Sequence, residues 1–136
     1  MNKCKYLEDL GLETTDYGTN FIGESDKRDL QWAKQRELYG FDERETWNLH
    51  RIFIEWIYTR VLMYKEFSCV KLDYYKIRYK DKEITQGEAM DKILELAKEI
   101  LQNDFYSVDS KVLKMINDNS VEICDIWKEI LPYMWW

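Results

Sequence analysis

The chain has 136 residues, 46% hydrophobic and 34% charged, with a formal net charge of −6. That length suffices for one domain with its own core and no disulfide or metal staple, and the composition excludes a disordered chain. No segment reaches the roughly 18 apolar residues of a membrane span, and the opening MNKCKYLEDLGL lacks a signal-peptide run, so no membrane partner is expected.

Residues 1–80 carry 14 acidic and 14 basic side chains, whereas residues 81–136 carry 12 and 6, so the excess acid lies in the second part. That part contains no arginine. A nucleic-acid groove needs clustered cations, and none is expected there. The acidic surface reads either as a solubility device or as a face for a basic partner. Six Trp, ten Tyr and five Phe make the chain 15% aromatic. Rings at this density supply core packing first and partner or ligand contacts second.

An N-terminal arm, residues 1–24, holds Gly11, Gly18 and Gly23 among polar residues; it is expected to be loop-like and mobile, with one helical turn at Lys5–Leu10. A single domain, 25–136, follows. Ser25 or Asp26 can cap a short helix through Tyr39, in which Leu30, Trp32, Ala33 and Leu38 are partly buried and which Gly40 closes. A long helix is then expected from about Asp42 to Phe67. Its acids Asp42, Glu43 and Glu45 suit unpaired N–H donors at a helix start. One apolar stripe runs Leu49, Ile52, Phe53, Trp56, Met63, Tyr64 and Phe67, and a second runs Ile54, Ile57, Tyr58, Val61 and Leu62. A helix apolar on most sides is expected at the centre of the fold.

After Cys69 the period changes to two. Tyr75, Ile77 and Tyr79 alternate with Lys76, Arg78 and Lys80, which predicts a β-hairpin near 73–85, strand 73–80 pairing with 83–85 and the rings facing the helices. Thr85 and Glu88 form a capping box that opens a helix to about Gln102. Ser107 or Asp109 caps a short helix to Ile116. The run Asn117-Asp118-Asn119-Ser120 predicts a loop, and a last helix from Val121 ends near Pro132. The fold class is therefore mainly α: four to five helices around a long central one, with a small hairpin. The closing Trp135 and Trp136 are unusual at a chain end and point to docking on the body or on a partner.

Chemical motifs are sparse. There is no P-loop, G-x-G-x-x-G, H-E-x-x-H or G-x-S-x-G. His50 is the one histidine, read as a partly buried or capping imidazole. Cys4, Cys69 and Cys124 have no zinc-site spacing and read as buried thiols in a reducing cytoplasm. No catalytic residue, metal or cofactor is expected. Arg60 interrupts the apolar stripe, so it must be paired with Glu43 or Glu55, stacked on a ring, or aimed at a pocket. In the last arrangement Arg60 and a hairpin cation, Lys76 or Arg78, would grip a phosphate while Trp56, Tyr58 or Tyr64 stacks a base.

The run Gly40-Phe41-Asp42-Glu43-Arg44-Glu45-Thr46-Trp47-Asn48-Leu49, the aromatic helix ending Met63-Tyr64-Lys65, and the closing Leu131-Pro132-Tyr133-Met134-Trp135-Trp136 resemble a group of small proteins of tailed bacteriophages and prophages. The resemblance covers about a third of the chain and implies a non-enzymatic accessory protein in the bacterial cytoplasm, whose expected act is to bind and inhibit a host protein such as an antiviral defence component. The alternatives are a sponge that sequesters a nucleotide signal, or a virion or packaging component; a homodimer is compatible with each. The candidate contact residues are Arg60, Trp56, Tyr64, Lys76, Arg78, Trp135 and Trp136.

Overall fold

The computed structural model describes residues 4–12, 28–68 and 72–135. In chain order these form α1 (Lys5–Glu8), α2 (Asp29–Tyr39), a 3-10 turn (Glu43–Thr46), α3 (Leu49–Phe67), β1 (Lys76–Tyr79), β2 (Lys82–Thr85), α4 (Gln86–Leu101), α5 (Ser110–Ile130) and a closing 3-10 turn (Leu131–Tyr133). The mainly α class with one small antiparallel hairpin is the class the sequence predicts. The chain divides into two compact units, Met1–Glu55 and Trp56–Trp136, with the boundary inside α3.

In the first unit, α2 is closed by Gly40, whose left-handed φ of 82° is open to glycine at little cost and lets its N–H reach the Arg36 carbonyl. The caps expected at Ser25 and Asp26 lie outside the described residues. Trp32 is buried, but Leu30, Ala33 and Leu38 are exposed, contrary to the sequence pattern. The reason is that α2 is held on one side by polar bonds rather than by an apolar stripe. Asp42, itself buried, accepts from Arg36 Nη1 at 2.5 Å and from Arg44 Nε and Nη2 at 2.8 and 2.7 Å. Glu43 Oε1 accepts the Trp32 indole N–H at 3.0 Å, and Gln35 Oε1 accepts the Glu43 backbone N–H at 2.9 Å. Arg28 and Arg44 lie over the Trp32 ring, 4.9 and 4.4 Å from its centroid.

The long helix does not begin at Asp42. The Asp42 side chain accepts from the Arg44 backbone N–H and so starts a 3-10 turn. Asn48 then opens α3 afresh, accepting from Arg51 N–H at 3.2 Å. The acids of this segment are thus less a dipole complement to a long helix than anchors for α2. His50, expected as a partly buried or capping imidazole, is exposed near the start of α3. Glu55 is buried against Arg51 at 2.9 Å, and burial pushes its carboxyl above the ordinary value while Arg51 opposes the rise.

In α3 the second apolar stripe is the core side. Ile54, Ile57, Tyr58 and Val61 are buried, whereas Leu49, Trp56, Met63 and Phe67 are 63%, 43%, 53% and 60% exposed. The expectation of a helix covered all round is therefore corrected: one face is open.

The second unit is built on α4 and α5. The predicted capping box is present, with Glu88 N–H donating to Thr85 Oγ at 3.1 Å and the Glu88 carboxylate accepting the Thr85 N–H. Gly87 in the first turn lets Leu72 approach; a Cβ there would meet Leu72 Cβ at 3.2 Å. Met90, Ile93, Ala97 and Ile100 of α4 and Ile116, Ile123, Ile126 and Ile130 of α5 are buried. The loop expected at 117–120 is instead an uninterrupted part of α5, capped at its start by Asp109. Asn119 donates to Glu99 Oε2 at 3.0 Å and, more weakly, to the Leu96 carbonyl of α4, while Ser120 Oγ donates to the Ile116 carbonyl at 2.6 Å. Groups that favour a break in an isolated chain here find partners within the packed helices.

The hairpin pairs Lys76 with Thr85, Ile77 with Ile84, Arg78 with Glu83 and Tyr79 with Lys82, a register shorter than the predicted 73–80 with 83–85. Ile77 is buried and Tyr79 donates its hydroxyl to Glu122 of α5, so the ring side does face a helix as expected. Its two-residue turn, Lys80 and Asp81, has φ of 47° and 61°. Both positions are left-handed, the geometry that hairpin turns fill with Asn-Gly. Asp81→Gly is expected to stabilise the protein by about 0.5–1 kcal/mol, read as a higher urea midpoint at unchanged m-value.

Hydrogen bonds from the Arg44 side chain, then from Arg36 and the Arg44 backbone, hold the Asp42 carboxyl at about 2 against the opposing effect of burial. A carboxylate depressed in the folded state stabilises above its unfolded pKa and loses that contribution as pH falls through the folded one. An acid transition between about pH 4 and pH 2, worth about 2 kcal/mol, should therefore loosen α2, followed through the Trp32 indole N–H resonance. Asp42→Asn should destabilise the neutral protein and remove that step.

Candidate functional site

The predicted contact residues fall on two surfaces. The first is the open face of α3. Arg60 is exposed, with its guanidinium 5.6 Å from the centroid of Trp56 and its Nη1 donating to Thr59 Oγ at 2.9 Å. Neither proposed carboxylate engages it, since Glu55 binds Arg51 and Glu43 binds Trp32 and Gln35. Among the described residues Arg60 makes no ion pair, and ring stacking is the role it takes. Trp56 meets Trp127 of α5 edge to face, centroids 6.3 Å apart and planes at 88°. Tyr64 is half-buried, and Tyr58 is buried on the core side of α3, so it cannot stack a base beside Arg60.

The second surface joins the start of the hairpin to the chain end. Tyr75 stacks on Tyr133 with centroids 4.8 Å apart and planes at 20°, and Tyr74 meets Tyr75 edge to face at 5.2 Å. Tyr74 is 75% exposed, Tyr133 41% and Trp135 73%. Tyr133 meets the hairpin, but Trp135, one of the two residues expected to dock, is exposed, and Trp136 lies outside the described residues. Pro132 is the second residue of the last 3-10 turn, where its missing N–H costs no helical bond.

Lys76 and Arg78 are exposed on the strand face opposite Ile77, as the alternation requires. Lys76 lies 3.5 Å from Glu83, Arg78 sits across from Glu83 in the register, and Lys80 binds Glu122 at 2.9 Å. Among the described residues no interaction joins Arg60 to Lys76 or Arg78, so the structure does not assemble the phosphate grip that the spacing allowed. The exposed acids of α4 and α5 are interleaved with lysines, as in Lys92–Glu95, Lys114–Asp118 and Lys128–Asp125. Such pairing weakens any resemblance of this face to a phosphate backbone. Cys124 is an exposed thiol, not a buried one, and Cys4 is half-buried. Among the described residues no three His, Cys, Asp or Glu are grouped to hold a metal ion, and no helix is long and apolar enough to cross a membrane.

Trp127, Tyr74, Tyr75 and Tyr133 are the contact rings that sequence reasoning left out. The C-terminal aromatic run was a signal for Tyr133, but its pairing with Tyr75 joins segments far apart in sequence. Compared with protein-family models, curated proteins and solved structures, the chain matches none.

Tyr133→Ala should cost about 0.5–1.5 kcal/mol through the lost stack. It should also remove the Tyr133 contribution to the ring-current shifts of the Tyr75 protons while leaving the α4 amides unmoved, as measured by NMR.

Proposed function

We propose that the protein acts by binding another protein, and that it does so through the aromatic ledge of Tyr74, Tyr75, Tyr133 and Trp135. The observation that carries this reading is the Tyr75–Tyr133 stack, which holds exposed rings in place before any partner arrives. Pre-ordered Tyr and Trp side chains give large contact area at small entropic cost, and such residues with Arg dominate binding energy at protein interfaces. Arg78, exposed on the neighbouring strand β1, supplies a cation of the kind that such interfaces enrich. Together with the resemblance to phage and prophage accessory proteins, this supports an inhibitor of a host protein, such as an antiviral defence component, working in the bacterial cytoplasm without catalysis.

The experiment is capture from bacterial lysate with the immobilised full chain, the wild type beside Tyr133→Ala and Trp135→Ala. A host protein retained by the wild type and held about 10–100-fold more weakly by both variants is the expected result. Equal capture by all three would overturn the assignment of the ledge. A thermal shift with a nucleotide panel, abolished by Arg60→Ala, would replace the protein-binding reading with the nucleotide sponge.

A further inference from the structure

The open face of α3 has a regularity of its own. Leu49, Phe53, Trp56, Arg60, Met63 and Phe67 recur at alternating intervals of four and three residues along one 19-residue helix. This is the spacing of a seam that packs against another helix. Five of the six residues are apolar; of these Leu49, Met63 and Phe67 are more than half exposed, Trp56 is 43% exposed and Phe53 is partly buried. The opposite side already fills the core through Ile54, Ile57, Tyr58 and Val61.

The seam is also symmetric. Its positions are placed evenly about residue 58, so Leu49 mirrors Phe67, Phe53 mirrors Met63 and Trp56 mirrors Arg60. An apolar helix laid on it would strip water from the Arg60 guanidinium and offer nothing in return, a costly outcome. A second copy of α3 running antiparallel offers a partner at every level: the partner subunit's Trp56 for Arg60, the partner subunit's Phe53 for Met63, and the partner subunit's Phe67 for Leu49. Arg60 already lies over its own Trp56, so the pairing adds a ring to an arginine disposed to stack. Thioether-to-ring contact suits the Met63 level.

We propose that the protein forms a two-fold dimer through antiparallel pairing of α3 along this seam. The interface is isologous, each residue meeting its mirror across the axis. The exposed parts of the six side chains on two copies amount to on the order of 1,000 Å2, the lower bound for a specific interface. An interface at that lower bound is expected to be a weak one, in the micromolar range. This inference rests on α3 and is independent of the ledge at the chain end.

Sedimentation equilibrium of the full chain across roughly 1–200 μM tests it. The wild type should pass from monomer to dimer in that range. Met63→Glu and Arg60→Glu, both on the exposed face and expected to fold normally by circular dichroism, should weaken dimerisation at least about tenfold. Trp56→Glu should retain the dimer, because the new carboxylate meets the partner subunit's Arg60. For register, chains with the native cysteines replaced by Ser are oxidised: Met63→Cys mixed with Phe53→Cys should cross-link, and Met63→Cys alone should not. A monomer throughout, a dimer indifferent to Met63→Glu, or self-cross-linking of Met63→Cys would each overturn the proposal.

Discussion

A helix of 19 residues with apolar side chains on two sides can turn only one of them inward when the chain around it is small. In α3 the inward side is Ile54, Ile57, Tyr58 and Val61, and the consequence is that Trp56, Met63 and Phe67 stay in contact with water. A chain of this size has too little material to cover both sides, since surface grows relative to volume as domains shrink. What remains open is ordered by the inward packing, because a helix fixed on one side presents its other side in a fixed direction. The stacking of Arg60 on Trp56 and the edge contact of Trp56 with Trp127 are set by that constraint.

The segment from Phe41 to Asn48 works in a different way. Asp42 is a buried carboxylate surrounded by two guanidiniums, and Glu43 reaches the Trp32 indole, so a short turn holds α2 through directional bonds. Directional bonds need no apolar stripe on the helix they hold. This is why α2 leaves Leu30 and Leu38 exposed while remaining tied in place. A buried carboxylate that lost its arginines would be strongly destabilising, which makes the Asp-x-Arg pattern of this turn a structural requirement of the first unit. The run from Gly40 to Leu49 is, in this respect, chiefly a fastening.

Aromatic residues take three separate roles in the chain. Trp32 is buried against the guanidiniums of Arg28 and Arg44, Trp56 bridges a helix face to α5, and Tyr75 with Tyr133 couples the hairpin to the chain end. The second and third leave ring surface in solvent, and both are pre-ordered. Glu122 of α5 accepts from the Tyr79 hydroxyl and pairs with Lys80, so the hairpin is pinned to α5 at its turn. For the binding role proposed above, such pinning lowers the cost of association, because the entropy of ordering is already spent in folding.

Local signals determined much of the architecture. Thr85 and Glu88 specify the start of α4 through bonds among neighbours in sequence, Gly40 specifies the end of α2, and the alternation from Tyr75 to Tyr79 specifies a strand with its cations outward. Each depends on residues within a few positions, and the sequence contains them all. The tertiary structure alone decided which stripe of α3 is inside, whether Asn117–Ser120 breaks a helix, and where Tyr133 docks. The reason is the same in each case: Asn119 stays helical because α4 supplies an acceptor 20 residues away, and Tyr133 finds Tyr75 across most of the second unit. Periodicity shows that a face is apolar, but only the packed chain decides whether that face is covered.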